Sequence, residues 1–108
     1  MPLRKLQFAE DFLYHVYNRG FCKMPIFKVE PNKDRFLDKI HEYRKRFGVT
    51  IESQCVMPNH FHFVVRENAT GGLRKFISTL QLSFAVHYNK KYKRRGPVFE
   101  GRYKANLI

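Results

Sequence analysis

Residues 60–67, HFHFVVRE, admit few structures. At a period of two, Phe61, Phe63 and Val65 fall on one side and His60 and His62 on the other, which is the alternation of a strand with one face against a core. Just upstream, Pro58-Asn59 makes a tight reversal. Before it, VTIESQCVM (49–57) alternates as well, with Val49, Ile51, Ser53, Cys55 and Met57 on one side and Thr50, Glu52 and Gln54 on the other. The two segments read as a hairpin or near-hairpin whose apolar side needs cover from the rest of the chain.

That cover is legible in the periodicity. Phe36, Leu37, Ile40, Tyr43 and Phe47 recur at helical spacing from Lys33 to Phe47, with Asn32 as the expected N-cap and Gly48 as the C-terminal stop. Leu73, Phe76, Ile77, Leu80, Phe84 and Tyr88 define a second, longer helix reaching about Tyr92. FLYHVYNRG (12–20) reads as a strand ending in a turn, FCKMPIFKVEPN (21–32) as a loop, and VFEGRYKANLI (98–108) as a final strand. The order β-α-β-β-α-β predicts an α+β, ferredoxin-like split βαβ fold: four antiparallel strands with both helices on one face and the other face open. The chain is expected to be a single domain over residues 1–108.

The open face matters because of charge. Twenty-one Lys and Arg against nine Asp and Glu give +12 and a pI near 10.1, a surface that attracts polyanions, nucleic acid first among them. Cys22 and Cys55 are far apart and lack C-x-x-C spacing, which points to reduced thiols rather than a disulfide framework or zinc knuckle. No run approaches the ~18 apolar residues of a membrane span, and MPLRKLQFAEDF lacks the apolar segment of a signal peptide. A soluble, cytoplasmic protein is expected.

His60 and His62 share a strand face, roughly 6.6–7 Å apart at the backbone, and two such imidazoles can converge on one divalent ion. Taken alone, an H-x-H pair in a strand is more often two solvent-facing or hydrogen-bonded histidines. MPNHFHFVV, with YHVYNRG upstream and GPVFEGRYKA downstream, resembles the IS200-like transposase family and its REP-associated tyrosine transposase branch, in the family's motif order from about Tyr14 to Ala105. The resemblance implies a His-hydrophobic-His metal motif at His60, Phe61 and His62 that holds Mg²⁺ or Mn²⁺. It also implies DNA strand transfer in which a tyrosine hydroxyl attacks a phosphodiester, leaving a 5′-phosphotyrosine and a free 3′-hydroxyl. Single-stranded or hairpin DNA would be the substrate, and a homodimer the working form.

The family's nucleophilic tyrosine and a third, amide-type ligand normally lie on a helix after the last core strand. Here the sequence reaches Ile108 within that strand, so the nucleophile is expected beyond Ile108, in a longer protein of which this is a piece; a degenerate copy is the alternative. Among the tyrosines present, Tyr43, Tyr88 and Tyr103 continue apolar patterns and read as core. Tyr92 stands in a basic run where base stacking is as apt as chemistry, and Tyr17, sharing parity with His15, is the in-chain candidate nucleophile. Glu52, Gln54 and Glu100 are expected on the open face with the histidines.

NKKYKRRGP (89–97) sets Lys90, Lys91, Lys93, Arg94 and Arg95 around Tyr92. With Arg102 and Lys104 alternating toward the histidine side, and Arg19 and Arg66 at strand ends, these residues form an expected phosphate track. Two functions follow: a metal-dependent tyrosine transposase, or a non-catalytic DNA- or RNA-binding module on the same platform.

Overall fold

The computed structural model describes residues 12–108, so the N-terminal stretch read above, residues 1–11, lies outside the described part. The elements are β1 (Leu13–Arg19), α1 (Glu30–Phe47), β2 (Val49–Met57), β3 (His60–Glu67), α2 (Gly72–Tyr92) and β4 (Lys104–Leu107), with one 3₁₀ turn at Phe21–Lys23. The strands form one antiparallel sheet in the order β2-β3-β1-β4. This is the expected α+β split βαβ fold, in which β3 and β1 are paired on both sides and β2 and β4 are edges.

The alternation of β3 is carried out in full: Phe61, Phe63 and Val65 are each 0% exposed. They meet Tyr14 and Val16 of β1, Phe36, Ile40 and Tyr43 of α1, and Leu73, Phe76, Ile77, Leu80 and Phe84 of α2 in one apolar cluster. Burying each such side chain contributes about 1.5–3 kcal/mol, so both helices are held to the same face of the sheet. At one end Phe27 packs its ring 4.5 Å from Phe36 and 5.1 Å from Phe84.

Three local expectations are corrected. The first helix begins at Glu30, and Asn32, expected as its N-cap, lies inside it. Pro31 has no N–H to give and is accommodated only in a first turn, which pulls the start upstream. The side chain of Asn32 turns instead to α2: its Nδ2 donates to the Tyr92 hydroxyl at 2.9 Å and its Oδ1 accepts from Lys91 Nζ at 2.8 Å. Gly48 does close α1, in the left-handed region at φ 67°.

The final strand is only Lys104–Leu107. Val98 and Phe99 leave the sheet to fill the core, where Phe99 makes only an isolated bridge to Gly20, and the chain bends at Gly101, φ 65°. In β2 a bulge between Ile51 and Ser53 breaks the alternation. Beyond it Cys55 stands opposite His62 and Met57 opposite His60, on the histidine side, while Gln54 stands opposite Phe63 and lines a groove against α1.

Helix α2 opens on Gly71 and Gly72, with no side-chain cap from the N-cap residue. A Cβ at Gly72 would overlap the Phe47 carbonyl oxygen, so the end of α1 and the start of α2 touch backbone to backbone. The capping acceptor comes from the sheet: the carboxylate of Glu67, 1% exposed, accepts the Leu73 N–H at 2.9 Å. A buried carboxylate at a helix N-terminus satisfies an orphan donor and faces the positive end of the dipole. Glu67→Ala should therefore lower unfolding stability by about 1–3 kcal/mol in urea denaturation, because a buried donor loses its partner, while Asn68→Ala at the exposed neighbouring position changes it little.

Candidate active site

The register of β1 against β3 builds the open face. His15 stands opposite Val64, Tyr17 opposite His62 and Arg19 opposite His60, while β4 adds Lys104 opposite Tyr17. His60 and His62 both face away from the core, their rings edge to face at 4.9 Å. Both line a cavity of about 520 Å³ together with Tyr17, Asn18, Arg19, Lys23, Asn59, Glu100 and Lys104.

Each histidine has one ring nitrogen engaged. Nδ1 of His60 lies 2.8 Å from Oδ1 of Asn59, an oxygen that only accepts, so Nδ1–H donates and, in the neutral ring, the lone pair is on Nε2. Nδ1 of His62 lies 2.9 Å from Nε2 of His15. The His15 ring in turn stacks on Tyr17 at 4.6 Å. Burial pushes His62 below the ordinary 6.5, assisted by the charges that His60 and His15 carry when protonated. Among the described residues no three His, Cys, Asp or Glu side chains come together to hold an ion.

The cationic residues divide among three regions. Arg19 and Lys104 line the cavity, and sequence patterning missed Lys23, which joins them from the 3₁₀ turn. Arg66 lies farther along the same face, ion-paired to Glu52 at 3.2 Å. Arg102, expected beside the histidines, falls instead in a groove against α2 with Arg74 and Gln81, because it precedes β4 and strand parity does not run back through the Gly101 bend.

Lys90, Lys91, Tyr92, Lys93, Arg94 and Arg95 do not line the cavity; they end α2 and begin the connection after it. Arg94 folds back to donate to Asn89 Oδ1 and the Pro97 carbonyl. The potential of this end of the helix reaches His87, which burial, then Arg35, Lys91 and Lys90, hold below 6.5.

Tyr43 and Tyr103 are buried, as their patterns predict. Tyr88 is half-buried, and burial raises its hydroxyl above the usual 10.0. Of the described tyrosines Tyr17 lines the histidine cavity. Glu100 also reaches it, with Oε2 accepting the Cys22 N–H at 2.9 Å, whereas Gln54 is on the far side of the sheet. Asn59 and His15 were missed as site residues; His15 had a signal in its shared parity with Tyr17 on a strand adjoining β3.

Residues 9–107 match the family described as IS200-like transposase. No curated protein matches the chain. Among solved structures, a candidate transposase from Deinococcus radiodurans R1 aligns at TM-score 0.73 and 13% identity, covering 99% of this chain and 86% of that one. A REP-associated tyrosine transposase bound to a REP hairpin aligns at TM-score 0.69 and 10% identity, covering 100% of this chain. The chain spans 62% of the length of that protein. At these identities the structural likeness is one of fold.

The lowered His62 value has a sign that can be checked. In the unfolded chain this imidazole takes its proton near 6.5, while in the folded protein it resists until lower pH. The folded state therefore keeps this contribution above about 6.5 and loses it as pH falls through that range. An NMR titration should place the His62 midpoint below 6.5, and His60→Gln should move it upward by removing a neighbouring charge.

Proposed function

This chain belongs to the IS200-like transposase family, and from that premise we propose that it cuts and rejoins single-stranded or hairpin DNA at the open face of its sheet, through a phosphotyrosine intermediate and with a divalent ion at His60 and His62. The observation that carries the reading is the pair of imidazoles in one cavity with Nδ1 of each engaged. His60 is thereby left with Nε2 as a bare donor, and the same state is open to His62. Two neutral nitrogen donors fit Mn²⁺ at least as well as Mg²⁺, which favours oxygen. When bound, such an ion stabilises charge developing on the oxygens of the scissile phosphate.

The protein's own side chains supply the rest. Arg19, Lys23 and Lys104 offer positive charge to the phosphates on either side of the scissile one. The Tyr17 ring, stacked against His15 at 4.6 Å and His62 at 5.8 Å, is held in a strand paired on both sides. That placement suits stacking on an unpaired base better than the mobility a nucleophile needs, so we assign the attack to the tyrosine that the family resemblance places on a helix following the sheet. A homodimer remains part of the proposal on the family resemblance alone.

Incubation of the full-length protein with labelled hairpin DNA and Mn²⁺ should give a covalent adduct that survives denaturation. His60→Ala and His62→Ala should reduce it at least about 100-fold, more than loss of a supporting contact would. Tyr17→Phe should retain it, while Tyr17→Ala weakens single-strand binding by about 1–3 kcal/mol. If no adduct forms and the histidine variants bind DNA as the parent does, the chain is a binding module and the transposase reading fails. In the same binding assay, Lys104→Ala should reduce the slope of log affinity against log salt by about 0.7, one single-strand phosphate contact, and Arg102→Ala should leave it unchanged.

A further inference from the structure

The reading above gives His15 no chemistry of its own, yet His15 makes a polar contact to His62. Nε2 of His15 meets Nδ1 of His62 at 2.9 Å, and the ring planes differ by 4° with centroids 5.1 Å apart. A neutral imidazole carries one N–H, so in this contact one ring donates and the other accepts. The two polarities differ in consequence. If Nδ1–H of His62 donates, its Nε2 keeps a lone pair; if His62 accepts, its proton sits on Nε2 and that nitrogen can donate a hydrogen bond but cannot coordinate a cation.

We propose that His15 is a positioning residue: its Nε2 accepts the Nδ1–H of His62 and so holds His62 in the tautomer whose Nε2 is open to a divalent cation. The proposal rests on the assignment of His60 and His62 as ligands. His60 supplies the parallel, since Asn59 Oδ1 accepts its Nδ1–H and fixes the same tautomer. One support comes from the hairpin turn and the other from the neighbouring strand, so both ligands present the same kind of nitrogen.

The strand register explains why a histidine serves here. His15 is the diagonal neighbour of His62, since Tyr17 is its direct partner. Diagonal pairs are about 7–8 Å apart, within reach of an aromatic side chain. The Tyr17 ring, inclined 21° to that of His15, limits how far the latter can turn. A one-residue slip of β1 would carry His15 into the core, so the contact is locked by the same alternation that buries Tyr14 and Val16.

The test starts from metal-free protein at about pH 8, above the ordinary imidazole range. Nitrogen-15 NMR should show the His62 proton on Nδ1 with Nε2 bare, and this measurement needs no variant. His15→Phe keeps a flat ring beside Tyr17 but offers no acceptor; it should shift His62 toward the Nε2–H form and weaken Mn²⁺ binding about 10–100-fold. His15→Gln, which returns a carbonyl acceptor, should recover most of that loss, with amide spectra establishing that each variant is folded. A wild-type His62 protonated on Nε2, or an Nδ1–H form that persists unchanged in His15→Phe, would overturn the role of His15 even if Mn²⁺ binds. Absence of Mn²⁺ binding in the wild type would overturn the ligand assignment itself, together with the role that depends on it.

Discussion

The two-sided character of β3 is the constraint on which everything else depends. It pairs with β2 on one edge and β1 on the other, so its backbone is fixed by hydrogen bonds in both directions and its side chains have only two places to go. Phe61, Phe63 and Val65 form the centre of the core, and that burial leaves His60 and His62 no alternative to the open face. Exchanging the faces would move the phenylalanines into water and two imidazoles into an apolar interior. Each imidazole would then need a buried partner. The driving force that folds the domain is thus also what aims the candidate ligands.

Sequence patterning reads such features where a single period persists. The helical stripes of α1 and α2, the Pro58-Asn59 reversal and the alternation of β3 are local facts, and the structure follows them. The misplacements occur where the period is interrupted. At the bulge after Ile51 one extra residue exchanges the faces of the rest of β2, which moves Gln54 away from the histidines and brings Cys55 and Met57 toward them. The bend at Gly101 does the same to Arg102. No residue type marks the bulge unambiguously, since Glu52 and Ser53 are unremarkable in an exposed strand. Asn32 illustrates a different failure: a good capping residue was drawn into the helix by the proline before it and found its partners on α2, sixty residues away in the chain.

The candidate site was half legible for a related reason. His60 and His62 lie two residues apart and their shared face follows from the strand alone. His15 belongs to the same cluster through the register between β1 and β3, a tertiary quantity that neither strand encodes by itself. Charge is the least local property of all: the excess of lysine and arginine suits a polyanion partner, but its division among the cavity, the groove against α2 and the end of α2 is set by where the chain turns. The run at 90–95 sits where α2 meets the start of α1, tied there by Lys91 and Tyr92 to Asn32.

Lys23 and Glu100 bring irregular chain into the lining of the cavity, and its placement has a physical source. Asn18 points into the core side of β1 and is 5% exposed, yet it donates to Gln81 Oε1 and the Gly101 carbonyl while its Oδ1 accepts the Arg19 N–H. These bonds fasten the bend after Phe99 to both α2 and β1. Glu100 is further pinned by its N–H to the Arg19 carbonyl, and its carboxylate holds the N–H of Cys22. Cys22 and Lys23 occupy the left-handed region at φ 52° and 60°, a conformation that residues with a side chain adopt at some cost and keep only where neighbours enforce it. The strained turn thus sets the backbone from which Lys23 reaches the cavity and Glu100 reaches it from the opposite segment. One part of the site is held by the sheet, and the other by the bond from Asn18 to the Gly101 bend and by the Glu100 carboxylate on the Cys22 turn.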